Sequence, residues 1–393
     1  MKRKVLSILL VIPLLMLVIS GCSQGSSSPQ PDQKGTTEAE GGNSGGSGND
    51  SGNKGSGKKE DGKLAPLDET ATVIIAEDGS ASGAGFYIAQ EKGYFEDYNL
   101  KVEFAKFANS DAMLPALAAG EIDVAGGISS AAFFNSIAQG INVKMIADKG
   151  HNIPGQSYFS FVIRKELQDE FDSYKDFKGK RIAVSTRNGV DDYIFQQMIN
   201  HAGLTRDDVE FVLMPSFGNM LASLGSGAID AALEIEPLIT KGTAQNISVR
   251  FGDTTDYAPK AQIAMVLGSP KFVNERKEVA LRFMVAYLKG VRDYNDAFLK
   301  GEGLDEIIKI MTEHTALEDP AVWKKVGITG LDPNGKMFVD NIKDQYKFYK
   351  KQGAIKGDID FSKAVDTTLA EKAVEILGKY PYDKVIQNSL KNK

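Results

Sequence analysis

From Leu64 onward, short apolar runs alternate with longer stretches in which apolar residues recur every three or four positions. Thr72 to Ala76 (TVIIA), Lys101 to Phe107 (KVEFAKF), Lys180 to Ser185 (KRIAVS) and Val209 to Pro215 (VEFVLMP) read as buried strands. A helix around Phe86 to Gly93 follows the first, and a helix Asp191 to His201, closed by Gly203, follows the third. The pattern repeats. Leu117-Ala-Ala-Gly120-Glu-Ile122-Asp123 matches Leu224-Gly-Ser-Gly227-Ala-Ile229-Asp230, and the same offset aligns Met113-Leu114 with Met220-Leu221. Each copy predicts a helix, a glycine in the left-handed position that ends it, and a strand. With the strands before them, the copies are two right-handed β-α-β units, and so two related α/β lobes.

The first 63 residues carry a different pattern. Lys2, Arg3 and Lys4 precede an apolar run from Val5 to Ile19, then Ser20, Gly21 and Cys22. This is the layout of a secretory signal over 1–21. The run is shorter than the ~20 apolar residues a spanning helix needs. Cys22 is the only cysteine, so it has no partner for an internal disulfide. It resembles the lipobox of bacterial lipoproteins, which implies cleavage before Cys22 and acylation of its thiol; an ordinary secretory signal is the alternative. Residues 22–63 are otherwise rich in Gly, Ser and Asn, without an aromatic. They read as a disordered tether spanning roughly 35 Å. Ser23, not aspartate, follows the cysteine; with the tether, this favours the outer face of a single-membrane, Gram-positive cell.

The roughly 330 residues that remain suit two lobes. Net charge is −6 and the folded part has no basic run, which argues against nucleic-acid binding. His151, His201 and His314 lack metal-ligand spacing. No nucleophile elbow or phosphate-binding loop is present. These absences argue against an enzyme, a metal or a cofactor.

Open α/β sheets bind ligands at the carboxyl ends of their strands. That rule selects the loops 77–85, 107–111, 126–130, 185–190 and 233–237. They offer Ser80, Ser82, Asn109, Ser110, Gly127, Ser129 and Ser130 as small or donor groups, and Phe86, Tyr87 and Phe217 as rings; Phe86 equally fits a core. Arg187, Asn188 and Gly189 precede the helix from Asp191, where free N–H groups and an arginine fork would suit an anion. Glu234 and Glu236 alternate, so one faces the cleft and the other does not. An acid and Arg187 together would suit a zwitterion or a nitrogen heterocycle. His151, beside Asn152, is a further candidate contact.

The run YIAQEKGYFEDYNLKVEF (87–104), with FKGKRIAVS (177–185) and GAIDAALEIEP (227–237), resembles the type 2 periplasmic-binding-protein receptors. It points to the branch for alkanesulfonates, taurine, nitrate and the pyrimidine precursor of thiamine. The resemblance implies a two-lobed α/β fold, each lobe a mixed, mostly parallel sheet flanked by helices. It implies two hinge strands, placed at Ser157 to Arg164 and Gln262 to Leu267. Lobe one would hold 64–159 and 261–393, and lobe two 160–260. The implied function is a monomeric receptor that delivers a small organic solute to an ABC permease and ATPase by hinge closure. Through Arg187, a sulfonate or carboxylate leads, with a pyrimidine-like heterocycle as the alternative. A sensory or adhesive lipoprotein would share anchor and fold. Thiamine-precursor synthesis enzymes of this fold carry a cysteine-rich motif that the folded body lacks.

Overall fold

The computed structural model describes residues 64–107 and 110–391. Cys22, its leader and tether, and Asn109 lie outside the described residues. Ten strands form two five-stranded sheets. The first holds β1 (Ala71–Glu77), β2 (Leu100–Lys106), β3 (Val124–Ile128), β4 (Lys144–His151) and β10 (Gln262–Gly268), in the order β2-β1-β3-β10-β4. The second holds β5 (Phe159–Arg164), β6 (Arg181–Val184), β7 (Glu210–Leu213), β8 (Ala231–Ile235) and β9 (Ser248–Asp253), in the order β7-β6-β8-β5-β9. β1 runs parallel to β2 and β3, and β6 runs parallel to β7 and β8. β10 and β5 are the antiparallel members. The two lobes therefore share one topology.

The repeated L-x-x-G-x-I-D segments occupy equivalent places. Gly120 and Gly227 have φ of 72° and 73°, which L side chains rarely adopt. The aspartates that follow do the same work in each lobe. Asp123 Oδ2 accepts the Ile74 N–H at 3.0 Å, and Asp230 Oδ2 accepts the Arg181 N–H at 2.9 Å. Each carboxylate also meets an arginine: Arg276 for Asp123, and Arg164 and Arg181 for Asp230.

The segments expected to be hinge strands are sheet strands. β5 lies between β8 and β9, and β10 between β3 and β4. Their apolar residues are buried inside the lobes. The chain instead passes between sheets over 152–158 and 254–261. Asn152 joins these crossings: its N–H donates to Ala261 O at 2.9 Å, and its Nδ2 donates to Thr254 Oγ1 at 2.8 Å.

The C-terminal third packs on the first sheet. The helix Lys277–Lys300 buries Phe283, Tyr287 and Tyr294, and it crosses the helix Ala84–Glu91 where Gly290 meets Gly85. Trp323, fully buried, joins this core. No helix of the described residues is long and apolar enough to cross a membrane.

Candidate functional site

The carboxyl ends of the two sheets face one another, and the lobes are closed. Ala131 N–H donates to Asn188 O at 2.8 Å, and Ala81 N–H donates to Glu236 O at 3.0 Å. The enclosed cavity is only about 20 Å³, room for one water. Its walls include Asp78, Gly126 and Lys149 from lobe one and Ser185, Thr186 and Asp191 from lobe two, with the rings of Tyr158, Phe159 and Phe217 beside them. Asp78 and Phe217 also line an outer mouth of about 300 Å³.

Lys149, on β4, is buried with Glu77 at the end of β1. Its Nζ lies 3.1 Å from Glu77 Oε1 and donates to Ser82 Oγ at 2.7 Å. Ser82 Oγ is 2.8 Å from Ser80 Oγ and 3.1 Å from the Tyr158 hydroxyl. Gly126 makes room for the pair: a Cβ there would fall 2.3 Å from Glu77 Oε2 and from Lys149 Cε. Burial pushes Glu77 up to about 8 against the pull of Lys149. Asp78 is raised by burial but brought below its usual range by Lys149 and by hydrogen bonds from Glu77 and Ser80. Burial would lower Lys149, yet Glu77, Tyr158 and Asp78 hold it above the ordinary lysine range. The ammonium thus stays charged, with two of its three donors directed at Glu77 and Ser82.

Across the cleft, Asp191 lies in the first turn of the helix Val190–Ala202. Its Oδ2 accepts from Ser185 Oγ at 2.6 Å and from Thr186 N–H at 2.7 Å. Its Oδ1 is buried without a partner, as is Glu77 Oε2. Burial lifts Asp191 to about 7, outweighing those two bonds. The next residue, Asp192, accepts from Asn188 N–H at 2.8 Å. Two N–H groups of the loop before this helix, those of Thr186 and Asn188, are therefore taken by the chain's own carboxylates.

This electrostatics fixes a pH dependence. Asp191 and Glu77 bind protons more tightly folded than unfolded, so the stability they contribute is complete below about pH 4 and is lost as pH rises through about 7 and 8. Urea titrations from pH 5 to 8 should show stability falling by a few kcal/mol. Asp191→Asn should flatten the lower part of that slope; an unchanged slope would contradict the assignment.

Several sequence candidates lie elsewhere. Arg187 is exposed, with its guanidinium 4.8 Å from the Phe211 ring centre. Phe86 is in the core against Tyr287, and Tyr87 stacks on His314 at 4.8 Å. Gly127 packs on Leu267, which a Cβ would approach to 2.4 Å. Ser129 is buried against Gln345 and Tyr349. Ser130 caps the helix Ala131–Ala138 by accepting from Phe133 N–H, and it donates to Asp111. Gly189 bridges to Ser130. His151 sits at the end of β4 with Asp148, away from the cleft cavity. Neither glutamate lines that cavity. Glu234 is buried within lobe two opposite Ser160, and burial raises it well above the carboxylate range. Glu236 accepts from Thr240 N–H and Gly327 N–H and pairs with Arg250. Ser80 and Ser82 belong to the lysine network, and Ser110 and Phe217 line the cavity.

Sequence reasoning missed Lys149, Glu77, Asp78 and Asp191. One signal was present: Asp148 and Lys149 interrupt the apolar run KMIADKGH. Among the described residues, no group of histidine, cysteine or acids has the geometry to hold a metal.

A family model described as "NMT1/THI5 like" matches residues 80–296, more than half of the chain. The chain belongs to the NMT1/THI5-like family. This member is 30% identical over 151 residues to a Haemophilus influenzae protein provisionally described as a thiamine biosynthesis protein; the match covers 38% of the chain and 45% of that relative, under half its length. Solved structures share its fold. The nitrate-binding protein NrtA of Synechocystis aligns with a TM-score of 0.65 at 14% identity, covering 80% of this chain and 91% of that one. A zinc-bound ligand-binding component of an ABC-type import system from Staphylococcus aureus aligns at 0.64 and 18%, covering 77% and 99%. The alkanesulfonate-binding protein SsuA of Xanthomonas axonopodis, bound to MOPS, aligns at 0.60 and 16%, covering 77% and 100%.

Proposed function

We propose that this protein is an extracytoplasmic solute receptor for an ABC importer, anchored through acylated Cys22. Its lobes close over a small, flat solute rich in N–H donors, such as an amino-substituted nitrogen heterocycle. The observation that carries this reading is the free acceptor on Asp191, buried in the wall of the cleft cavity that Asp78 also lines. An organic sulfonate, which Arg187 had favoured, is less well served: the cation in the cavity wall, Lys149, is already bonded to Glu77 and Ser82 and shares that wall with the carboxyl groups of Asp78 and Asp191, and Arg187 is exposed. Tyr158, Phe159 and Phe217 supply faces for a flat ring. The family match and the fold of the import-component structures support the receptor role, and the likeness to the thiamine-related relative supports a heterocycle. The closed cavity is smaller than any such ligand, so entry requires the lobes to part about the crossings.

Calorimetric titration with aminopyrimidines, alkanesulfonates and nitrate tests the proposal. An aminopyrimidine should bind, and Asp191→Asn should weaken it by about 10- to 100-fold, the worth of a hydrogen bond to a charged group. Binding by sulfonate alone, equally in wild type and variant, would refute the ligand class. No binding by any member of the set would favour a sensory or adhesive role.

A further inference from the structure

A second cavity, of about 490 Å³, opens on lobe one and shares no lining residue with the cleft. Its size falls within the range of small-molecule sites. Phe338, Tyr380 and Tyr382 form its walls, and the buried His151 is at its floor. His151 Nδ1 is 3.0 Å from Asp148 Oδ1. Its Nε2 has only a long contact, 3.4 Å, with the Tyr382 hydroxyl. That hydroxyl has one proton, and Gln156 Oε1 receives it at 2.9 Å. On a residue that lines the cavity, this ring nitrogen is therefore left without a well-formed bond.

The mouth has the opposite charge from the cleft. Lys336, Lys379 and Lys384 surround it, and none is in an ion pair among the described residues. Two carboxylates also line it. Asp332 accepts from Asn334 N–H at 2.8 Å, and Asp383 is exposed. Three free ammonium groups over an aromatic shaft suit an anion with an apolar body. A second charge at the floor is disfavoured, because Asp148 lies directly behind His151. A neutral oxygen fits there.

We infer that this cavity is a second ligand site, for a small carboxylate with an aromatic or branched body and a second, uncharged oxygen. The carboxylate meets the lysines, the body lies between Phe338 and Tyr382, and the second oxygen meets His151 Nε2. The site stands independently of the cleft and of the importer role. It lies behind the 152–158 crossing, to which Tyr382 is bonded through Gln156.

The test uses the full chain and 4-hydroxybenzoate, with phenol as the uncharged control. Only three histidines are present, so their imidazole proton resonances are separable; His201→Gln and His314→Gln assign them while leaving His151 intact. The expected result is a saturable shift of the His151 resonance alone. Lys336→Glu with Lys379→Glu, both on exposed side chains, should weaken binding about tenfold without changing Tm. Asp191→Asn should leave it unchanged, which separates this site from the cleft. An unmoved His151 resonance at about 10 mM 4-hydroxybenzoate, well above a millimolar dissociation constant, overturns the inference. So does equal binding by the charge-reversed variant, or equal binding of phenol.

Discussion

Lys149→Met should lower the stability of the folded body by about 3 kcal/mol at neutral pH, and by more above pH 8. Methionine keeps the length and removes the charge. Glu77 Oε1 and Ser82 Oγ then lose their cation, and Asp78 loses the neighbour that keeps it ionised. Removing one partner of a buried pair typically costs about 3–5 kcal/mol, because the other charge stays behind. The low end applies at neutral pH, since burial already lifts Glu77 to about 8 and it can hold a proton. As pH rises past that value, wild-type Glu77 ionises beside Lys149, whereas the variant must ionise it alone or keep it protonated at growing cost. Urea unfolding at pH 6 and pH 9 reads the difference. Glu77→Gln in the same chain should recover much of the loss. A loss that does not grow with pH, or that the second substitution deepens, would show that the pair is not the electrostatic centre of the cleft.

Gly290→Val should cost about 3 kcal/mol or more and weaken ligand binding as well. The cause is steric and lies in the backbone. A Cβ at Gly290 would fall 2.3 Å from Gly85 O and 3.0 Å from Ala89 N. Neither atom can rotate away, so the helices Ala84–Glu91 and Lys277–Lys300 must separate. Overpacking of this kind usually costs about 1–3 kcal/mol, and rigid backbone puts it at the upper end or beyond. The shorter helix begins just after Ser80 and Ser82, so its displacement reaches the lysine network. Gly218→Ala is the control. A Cβ there has only Ser216 Oγ at 3.9 Å, and alanine in a helix should gain about 0.5–1 kcal/mol. If Gly290→Val proves as harmless as the control, the close helix crossing does not exist in solution.

What was legible in the sequence was local. L-x-x-G-x-I-D places a left-handed glycine and a strand within seven residues, and its two copies led to two sheets of one topology. The strand edges and the helix from Asp191 followed from the same short-range rules. The site was harder because its contacts join distant parts of the chain. Nothing near Lys149 announces that Gly126 leaves space for it to meet Glu77. Arg187 was read from its place before a helix, yet Asp191 and Asp192 stood in the next turn and take the N–H groups of Thr186 and Asn188 on either side of it. Glu236 was noticed as an acid beside a proline; its partners Arg250 and Gly327 come from β9, two places along the sheet, and from the C-terminal third. Asn109 and Cys22 lie outside the described residues.

The bonds through Asn152 have a mechanical meaning. Both crossings are fastened to one side chain and to Thr254, so they bend as one ribbon and not as two independent threads. A ribbon has one easy bending axis. In the proposed receptor the lobes would then approach along a single arc, and a solute too large for that arc would hold them apart instead of finding another angle of closure. Size selection would thus be set at the ribbon, by residues that never touch the solute.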